Sequence, residues 1–307
     1  MNNCFKLFNN MIQNIPYNLR KRIITERTKH LLMPVLKFLF PSSPLKRMKV
    51  RNGPAKGAIL EAHPYRDVHY WTGVQEPQLQ EKIPRLIREG DSVYDVGGAM
   101  GYYSILFSKF AGKKGKVYVF EPNPTNIERI ESIIKINGSE NVKLVKKALY
   151  NKETTVNILI NKTKADRKEL SNSVILKNKT HKKGFTEKKV HTITLDNHWK
   201  KHKKIDVIKI DIEGFELEVL QGAKHALKEH PLLILELHTA AKEKSKKLYE
   251  LLKEAGYTLI MDVSKRRRIR NFKEFDDVHN RKAKSHIVAA KHDTEKGQRI
   301  KRLLKKR

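Results

Sequence analysis

The sequence predicts an α/β fold: a mostly parallel sheet of seven strands with helices on both faces, preceded by a basic N-terminal extension. Short apolar runs recur at regular intervals from residue 83 onward, and stretches with apolar residues three or four apart separate them. Ahead of them, residues 1–56 carry twelve Lys or Arg against a single acid, Glu26.

That basic arm, punctuated by Pro16, Pro34, Pro41, Pro44 and Pro54, extends to residue 74 and is expected to be partly helical. It reads either as a helix packed on the main domain or as a partner or anionic-membrane contact. In the membrane reading, Leu31, Leu32, Val35, Leu36 and Phe40 enter the headgroup layer. The main domain is expected over 75–292. Its strands are SVYDVG (92–97), KVYVFEP (116–122), VKLVKKAL (142–149), IDVIKID (205–211) and PLLILELH (231–238), with YTLIMDV (257–263) and SHIVAAK (285–291) closing the sheet as an antiparallel pair. Helices fit at 102–110, 124–137, 215–229 and 243–255; Leu217, Leu220, Ala223 and Leu227 show the spacing. TTVNILI and VHTITLDNHW also read as strands. They flank a Lys-rich polar segment, 161–189, expected to be an insertion beside the substrate. Residues 293–307 read as a basic tail.

Composition narrows the function. Sixty-five Lys plus Arg against 33 Asp plus Glu give +32, which attracts phosphates, anionic lipids or acidic glycans. Cys4 is the sole cysteine, so disulfide frameworks, Cys-based zinc sites, iron–sulfur clusters and cysteine-nucleophile chemistry are excluded. The longest apolar run, LLMPVLKFLF, is broken by Pro34 and Lys37, and no small-residue leader cleavage site follows the first apolar stretch. A cytoplasmic protein is expected, with peripheral membrane contact as a variant.

SVYDVGGAMGYYS reads as strand, glycine turn and helix start. Gly97, Gly98 and Gly101 permit a sharp turn and close approach of a ligand, and the helix N-terminus offers N–H groups to an anion. Glu121 ends the next strand about twenty residues on, where an acid takes the hydroxyls of an adenosine ribose. A dinucleotide site would share that acid. Asp95, two residues before Gly97, and a spacing other than G-x-G-x-x-G favour S-adenosylmethionine: an acid there suits the ammonium of a methionine moiety and repels a pyrophosphate.

The order VYDVGGAMGYYS, FEPNP, TLDNHW, IDVIKIDIEGFELEVLQGA, PLLILELH resembles FkbM-type methyltransferases over about residues 75–290, and KIDIEGFELEVLQGA is the most specific block. The resemblance implies a class I, Rossmann-like methyltransferase fold and S-adenosylmethionine-dependent O-methylation, often of sugar hydroxyls or natural products. It places the cofactor on Asp95, Gly97, Gly101 and Glu121. One departure stands out. The family pattern D-V-G-A-N-x-G has Gly98 and Ala99 here at its Ala and Asn positions, which implies either weaker cofactor affinity or replacement of the lost amide by Tyr102, Tyr103 or Ser104.

Ligands of open α/β sheets bind beyond the carboxyl ends of the strands, where Asp211 and Glu213 leave one strand and Glu236 and His238 leave the next. Methyl transfer needs the acceptor oxygen held in line and its proton removed, so Asp211, Glu213 and His238 are the candidate bases. Asp211, Glu236 and His238 could instead hold a divalent cation, an arrangement similar to that of catechol-type O-methyltransferases. Plainer expectations stand beside these. Lys209 would pair with Glu236, Glu216 and Glu218 would be solvated helix positions, and His198, His202, His225 and His230 would be surface residues. Trp199 would be core, and Tyr70 and Trp71 would line a pocket or pack.

The charge runs KRRRIR and KRLLKKR raise an RNA methyltransferase as the alternative function, although no tetrapeptide for stacking a flipped amine-bearing base is present. A non-catalytic, membrane-associated basic scaffold with a degraded cofactor pocket is the remaining alternative.

Overall fold

The computed structural model describes residue 10 and residues 14–23, 45–64, 66–161, 174–175, 184–238, 241–281 and 285–305. Cys4, Leu31 through Phe40 and most of the 161–189 insertion lie outside the described residues.

The elements run α1 (Tyr17–Ile23), β1 (Lys46–Lys49), β2 (Ile59–Ala62), α2 (Val68–Trp71), α3 (Pro77–Gln80), α4 (Ile83–Leu86), β3 (Ser92–Val96), α5 (Tyr102–Ala111), β4 (Lys116–Phe120) and α6 (Pro124–Asn137). They continue with β5 (Val142–Val145), β6 (Ala148–Leu149), β7 (Thr155–Asn161), β8 (Val174–Ile175), β9 (Phe185–Ile193), α7 (Leu195–His202), β10 (Val207–Ile210) and α8 (Glu216–Gln221). A 3-10 turn (Ala226–Glu229) leads to β11 (Leu232–Leu237), α9 (Lys242–Glu254), β12 (Leu259–Asp262), β13 (Arg267–Ile269), α10 (Phe272–His279), β14 (Ser285–Ala290) and α11 (Glu295–Lys305).

The central sheet has the order β13-β12-β14-β11-β10-β3-β4-β5. From β5 through β11 neighbouring strands are parallel, whereas β14 runs antiparallel to both β11 and β12. Strand alternation loads both faces. Val93, Val117, Val207 and Ile234 join a core with α5 and α6; Tyr94, Tyr118, Ile208 and Leu233 join a second core with α8, α9 and α10. The chain leaves β3 towards β4 and β5, then returns on its other side as β10 and β11. A crevice therefore opens at the carboxyl ends of β3 and β10.

All seven expected runs enter this sheet, and an eighth strand, β13, joins its edge from within KRRRIR. That run is therefore bound into the fold: Arg268 donates to the Thr258 carbonyl, Arg266 to the Leu303 carbonyl, and Arg267 lies 4.0 Å from buried Asp262. Other boundaries shift for local reasons. The 142–149 run breaks at a turn in which Lys147 N–H donates to the Val145 carbonyl, and β6 then pairs with β9 in a separate four-stranded sheet. VHTITLDNHW ends as a strand at Ile193, because Thr194 Oγ accepts the Asn197 N–H and starts α7. The 215–229 helix stops at Gln221, and Asp196 caps the resumed 3-10 turn through the His225 and Ala226 N–H groups.

The two basic ends also have folded parts. In the arm, Arg20 is buried and donates to the Thr72 and Ile15 carbonyls. The expected tail is largely α11, an amphipathic helix burying Ile300 and Leu303, with Arg299 paired to buried Asp91 and donating to the Leu86 carbonyl. Its apolar face was masked in the sequence by basic neighbours. Among the described residues, no helix is long and apolar enough to cross a membrane.

Candidate active site

At the end of β3 the backbone turns through Gly97, with φ +86° and its N–H on the Phe120 carbonyl. A Cβ at this position would lie 2.1 Å from the Asp211 carbonyl oxygen, so glycine lets β3 and the end of β10 meet. Ala99 also adopts a left-handed conformation, φ +50°, while its N–H donates to Glu121 Oε2 at 2.9 Å. An Asn tolerates that conformation better than Ala, which gives the family pattern a backbone reason. Gly101 serves another purpose: a Cβ there would sit 2.7 Å from Ile133 Cδ1, so its absence lets α6 pack against the start of α5.

Gly97, Gly98 and Ala99 line a cleft of about 1210 Å³, its solvent-open mouth included. Glu121, Pro122, Phe120, Leu149 and Ile158 line it too, as do Tyr70, Tyr102 and Tyr103. Glu121 is buried, and its second oxygen accepts the Asn123 N–H at 2.9 Å. Burial pushes this carboxyl up to about 7, against the pull of the Asn123 and Ala99 N–H groups. Ala99, Asn123 and Asn126 orient the carboxyl, whose remaining acceptor capacity can take a hydroxyl donor, and the apolar wall suits a flat base. The donor set thus fits the nucleoside of S-adenosylmethionine.

Asp95 and Gly101 do not line the cleft. The pleat sends Asp95 to the α5 side, where it is fully buried, accepts from Ser104 Oγ at 2.6 Å and lies 3.7 Å from Lys209 Nζ. Burial raises its pKa, with Lys209 and Ser104 opposing. The expected contact of Asp95 with a methionine ammonium therefore has no direct path. Ser104 is likewise committed inward, which leaves Tyr102 and Tyr103 of the three expected replacements on the wall. Trp71 packs internally with its indole N–H on the Pro64 carbonyl.

The charges at the end of β10 form one network. Lys209 pairs with Asp211 Oδ2 at 3.1 Å and with Asp95 rather than with Glu236, because β10 and β11 pair Lys209 opposite Ile234. Burial favours loss of its proton, but Asp211 and Asp95 outweigh that and push the ammonium up. Asp211 and Glu213 line the cleft, and Glu213 is itself left-handed at φ +53°. Glu216 and Glu218 are buried rather than solvated: Glu216 Oε1 meets His238 Nδ1 at 2.7 Å, and Glu218 accepts from Lys244. His238 Nε2 lies 3.5 Å from Glu213 and 3.9 Å from Glu236. Burial opposes its protonation, yet Glu216, Glu236 and Glu213 raise it to about 9. Ligand atoms of Asp211, Glu236 and His238 all fall within 4.8 Å of one another.

Sequence reasoning missed Glu76, Gln75 and Asn126 on the wall, and His286 behind it. Glu76 stands before a proline in a polar lead-in, where a charged residue carries no signal of its own. His198 also departs from expectation. It is buried edge-on against Tyr94, Tyr118 and Phe120, and its pKa is pushed down to about 4 by burial, with His202 and Lys201 adding.

Residues 95–259, more than half of the chain, match the Methyltransferase FkbM domain. Hexuronic acid methyltransferase AglP of Haloferax volcanii is 29% identical over 206 residues, spanning 65% of this chain and 77% of that one. Among solved structures, the methyltransferase FkbM of Methylobacillus flagellatus aligns at 17% identity with a TM-score of 0.39, over 65% of this chain and 43% of its own length. An S-adenosylmethionine-dependent O-methyltransferase of Thermotoga maritima aligns at 14% identity with a TM-score of 0.41, over 83% and 80%. The motif span, the class I strand order and a cleft built around Glu121 converge on one assignment: the chain belongs to the FkbM family and is an S-adenosylmethionine-dependent methyltransferase.

Proposed function

We propose that the protein methylates a hydroxyl of a sugar or glycan, with Asp211 as the proton acceptor. The observation that carries this reading is the place of Asp211, on the cleft wall and with its backbone against Gly97. When bound, S-adenosylmethionine would supply an electrophilic methyl group and leave as S-adenosylhomocysteine with the electrons of the broken C–S bond. The chain must then hold the acceptor oxygen and take its proton as the C–O bond forms. Lys209 Nζ donates to Asp211 Oδ2 at 3.1 Å and fixes the direction of that side chain. His238, raised to about 9, carries its own proton at neutral pH and serves instead as the positive partner of Glu213 and Glu216. Glu76, Asp211 and Glu213 present acceptors to a hydroxyl-rich ligand. The hexuronic acid named for the Haloferax volcanii relative agrees with a sugar substrate.

Charge distribution weighs against RNA at this cleft. A groove lined by Lys56, Lys109, Lys113, Lys116 and Lys143 lies at the amino ends of β4 and β5, the opposite end of the sheet from the acidic wall. The test supplies labelled S-adenosylmethionine with glycan, sugar-nucleotide and RNA acceptors. Label on a sugar oxygen is expected, and Asp211→Asn should slow turnover about 10²–10⁴-fold with cofactor affinity little changed. Full turnover in that variant removes Asp211 from the mechanism, and label on RNA alone removes the sugar.

A further inference from the structure

Behind the acidic wall, three side chains from distant parts of the chain face one another. Glu236 on β11 and His286 on β14 are direct cross-strand neighbours, and Glu76 reaches them from the segment before α3. His286 Nε2 lies 3.5 Å from Glu76 Oε2 and 3.6 Å from Glu236 Oε2. The His286 side chain is only 7% exposed, and its Nε2 has no hydrogen-bond partner among the described residues. A buried imidazole nitrogen aimed between two carboxylates would close to roughly 2.7–3.2 Å if it simply donated to one of them. Two ligand atoms each about 2.1 Å from a tetrahedral cation stand about 3.4 Å apart. The observed separations are longer than a direct hydrogen bond, and the three ligand atoms lie within 4.8 Å of one another, close enough to share one cation.

The surroundings support a ligand set. Tyr103 OH donates to Glu76 Oε2 at 2.8 Å, orienting it as an outer-shell donor orients a metal carboxylate. Glu76 holds a left-handed backbone at φ +39°, a conformation that persists only where its surroundings fix it.

We propose that Glu76, Glu236 and His286 form a divalent-cation site. One imidazole with two carboxylates at tetrahedral spacing suits Zn²⁺, whereas Mg²⁺ and Ca²⁺ prefer more numerous oxygen ligands. The cation fastens the segment carrying Glu76 to the sheet and so fixes the cleft wall at Gln75, Glu76 and Tyr103. The site shares Glu236 with the Asp211, Glu236 and His238 grouping but not its histidine: His238 turns Nε2 towards Glu213, and its side chain is 20% exposed. It does not depend on which acceptor is methylated.

The test uses the full chain, stripped by chelation, titrated with Zn²⁺ and followed by calorimetry. Wild type should bind one equivalent. Glu76→Gln and His286→Gln should each weaken it by about tenfold or more, while His238→Gln leaves it nearly unchanged. Circular dichroism and a cooperative unfolding transition report whether each variant is folded, and Glu76→Gln decides the matter if His286→Gln does not fold. No Zn²⁺ binding by wild type overturns the site, leaving a His286 imidazolium as the counter-charge. Weakening by His238→Gln without weakening by Glu76→Gln overturns it in favour of the other grouping.

Discussion

Replacing Lys209 by methionine tests the charge network beneath the glycine turn. Lys209 is 2% exposed and stands over the Tyr103 ring at 5.0 Å, so methionine can fill much of its volume. The loss falls mainly on Asp95, which is fully buried: Ser104 Oγ serves Oδ2, whereas Oδ1 has Lys209 Nζ at 3.7 Å as its counter-charge. Asp211 is partly exposed and recovers solvent. Leaving one buried charge without its partner costs about 3–5 kcal/mol, a large part of a total stability of roughly 5–15 kcal/mol. The variant can reduce the loss by protonating Asp95, whose pKa burial already raises. The sign follows: an acid with a raised folded pKa favours folding at low pH and loses that contribution as pH rises through its folded pKa. Urea unfolding at pH 5.5 and pH 8 should therefore show Lys209→Met penalised more at pH 8. Adding Asp95→Asn should recover most of the deficit. A loss below about 1 kcal/mol, or a double variant no better than the single one, would refute the reasoning.

Three further outcomes follow from the same geometry. Glu121→Gln sets an amide NH2 against the Ala99 or Asn123 N–H and removes a charged acceptor worth about 1.5–3 kcal/mol, so S-adenosylhomocysteine affinity should fall about 10–100-fold by calorimetry. His198 is neutral in the fold, with its pKa moved from 6.5 to about 4, so it erodes stability as pH falls through that window, by about 3 kcal/mol at most. His198→Phe should flatten the acid limb of the stability profile, and an unchanged limb counts against the assignment. Ala99→Gly should stabilise by about 0.5–1 kcal/mol in chemical denaturation, since φ +50° strains alanine; a loss would mean that the turn is not strained.

The central strands and α6 were legible because their signals are local. VYDV, VYVF and VIKI are short apolar runs, and α6 has Asn123 as an N-cap accepting from Thr125, Pro124 at its start and left-handed Gly138 at its end. The acids and glycines of the cleft were visible as types in positions, but their directions were not. Asp95 and Val96 are adjacent, yet the pleat sends one beneath α5 and the other to the cleft wall. Contacts spanning the fold left no trace in spacing: Glu216 with His238, Glu76 with His286, Arg299 with Asp91. Charge also concealed order, since β13 and α11 carry so many basic residues that their buried Ile269, Ile300 and Leu303 did not register as a pattern.

The most direct measurement is calorimetric titration of the full chain with S-adenosylhomocysteine, using NAD as a control and Glu121→Gln as the paired variant. One site of micromolar affinity, absent for NAD and weakened in the variant, is the expected result. No binding, or binding indifferent to Glu121, would contradict a cofactor seated between the glycine turn and the end of β4.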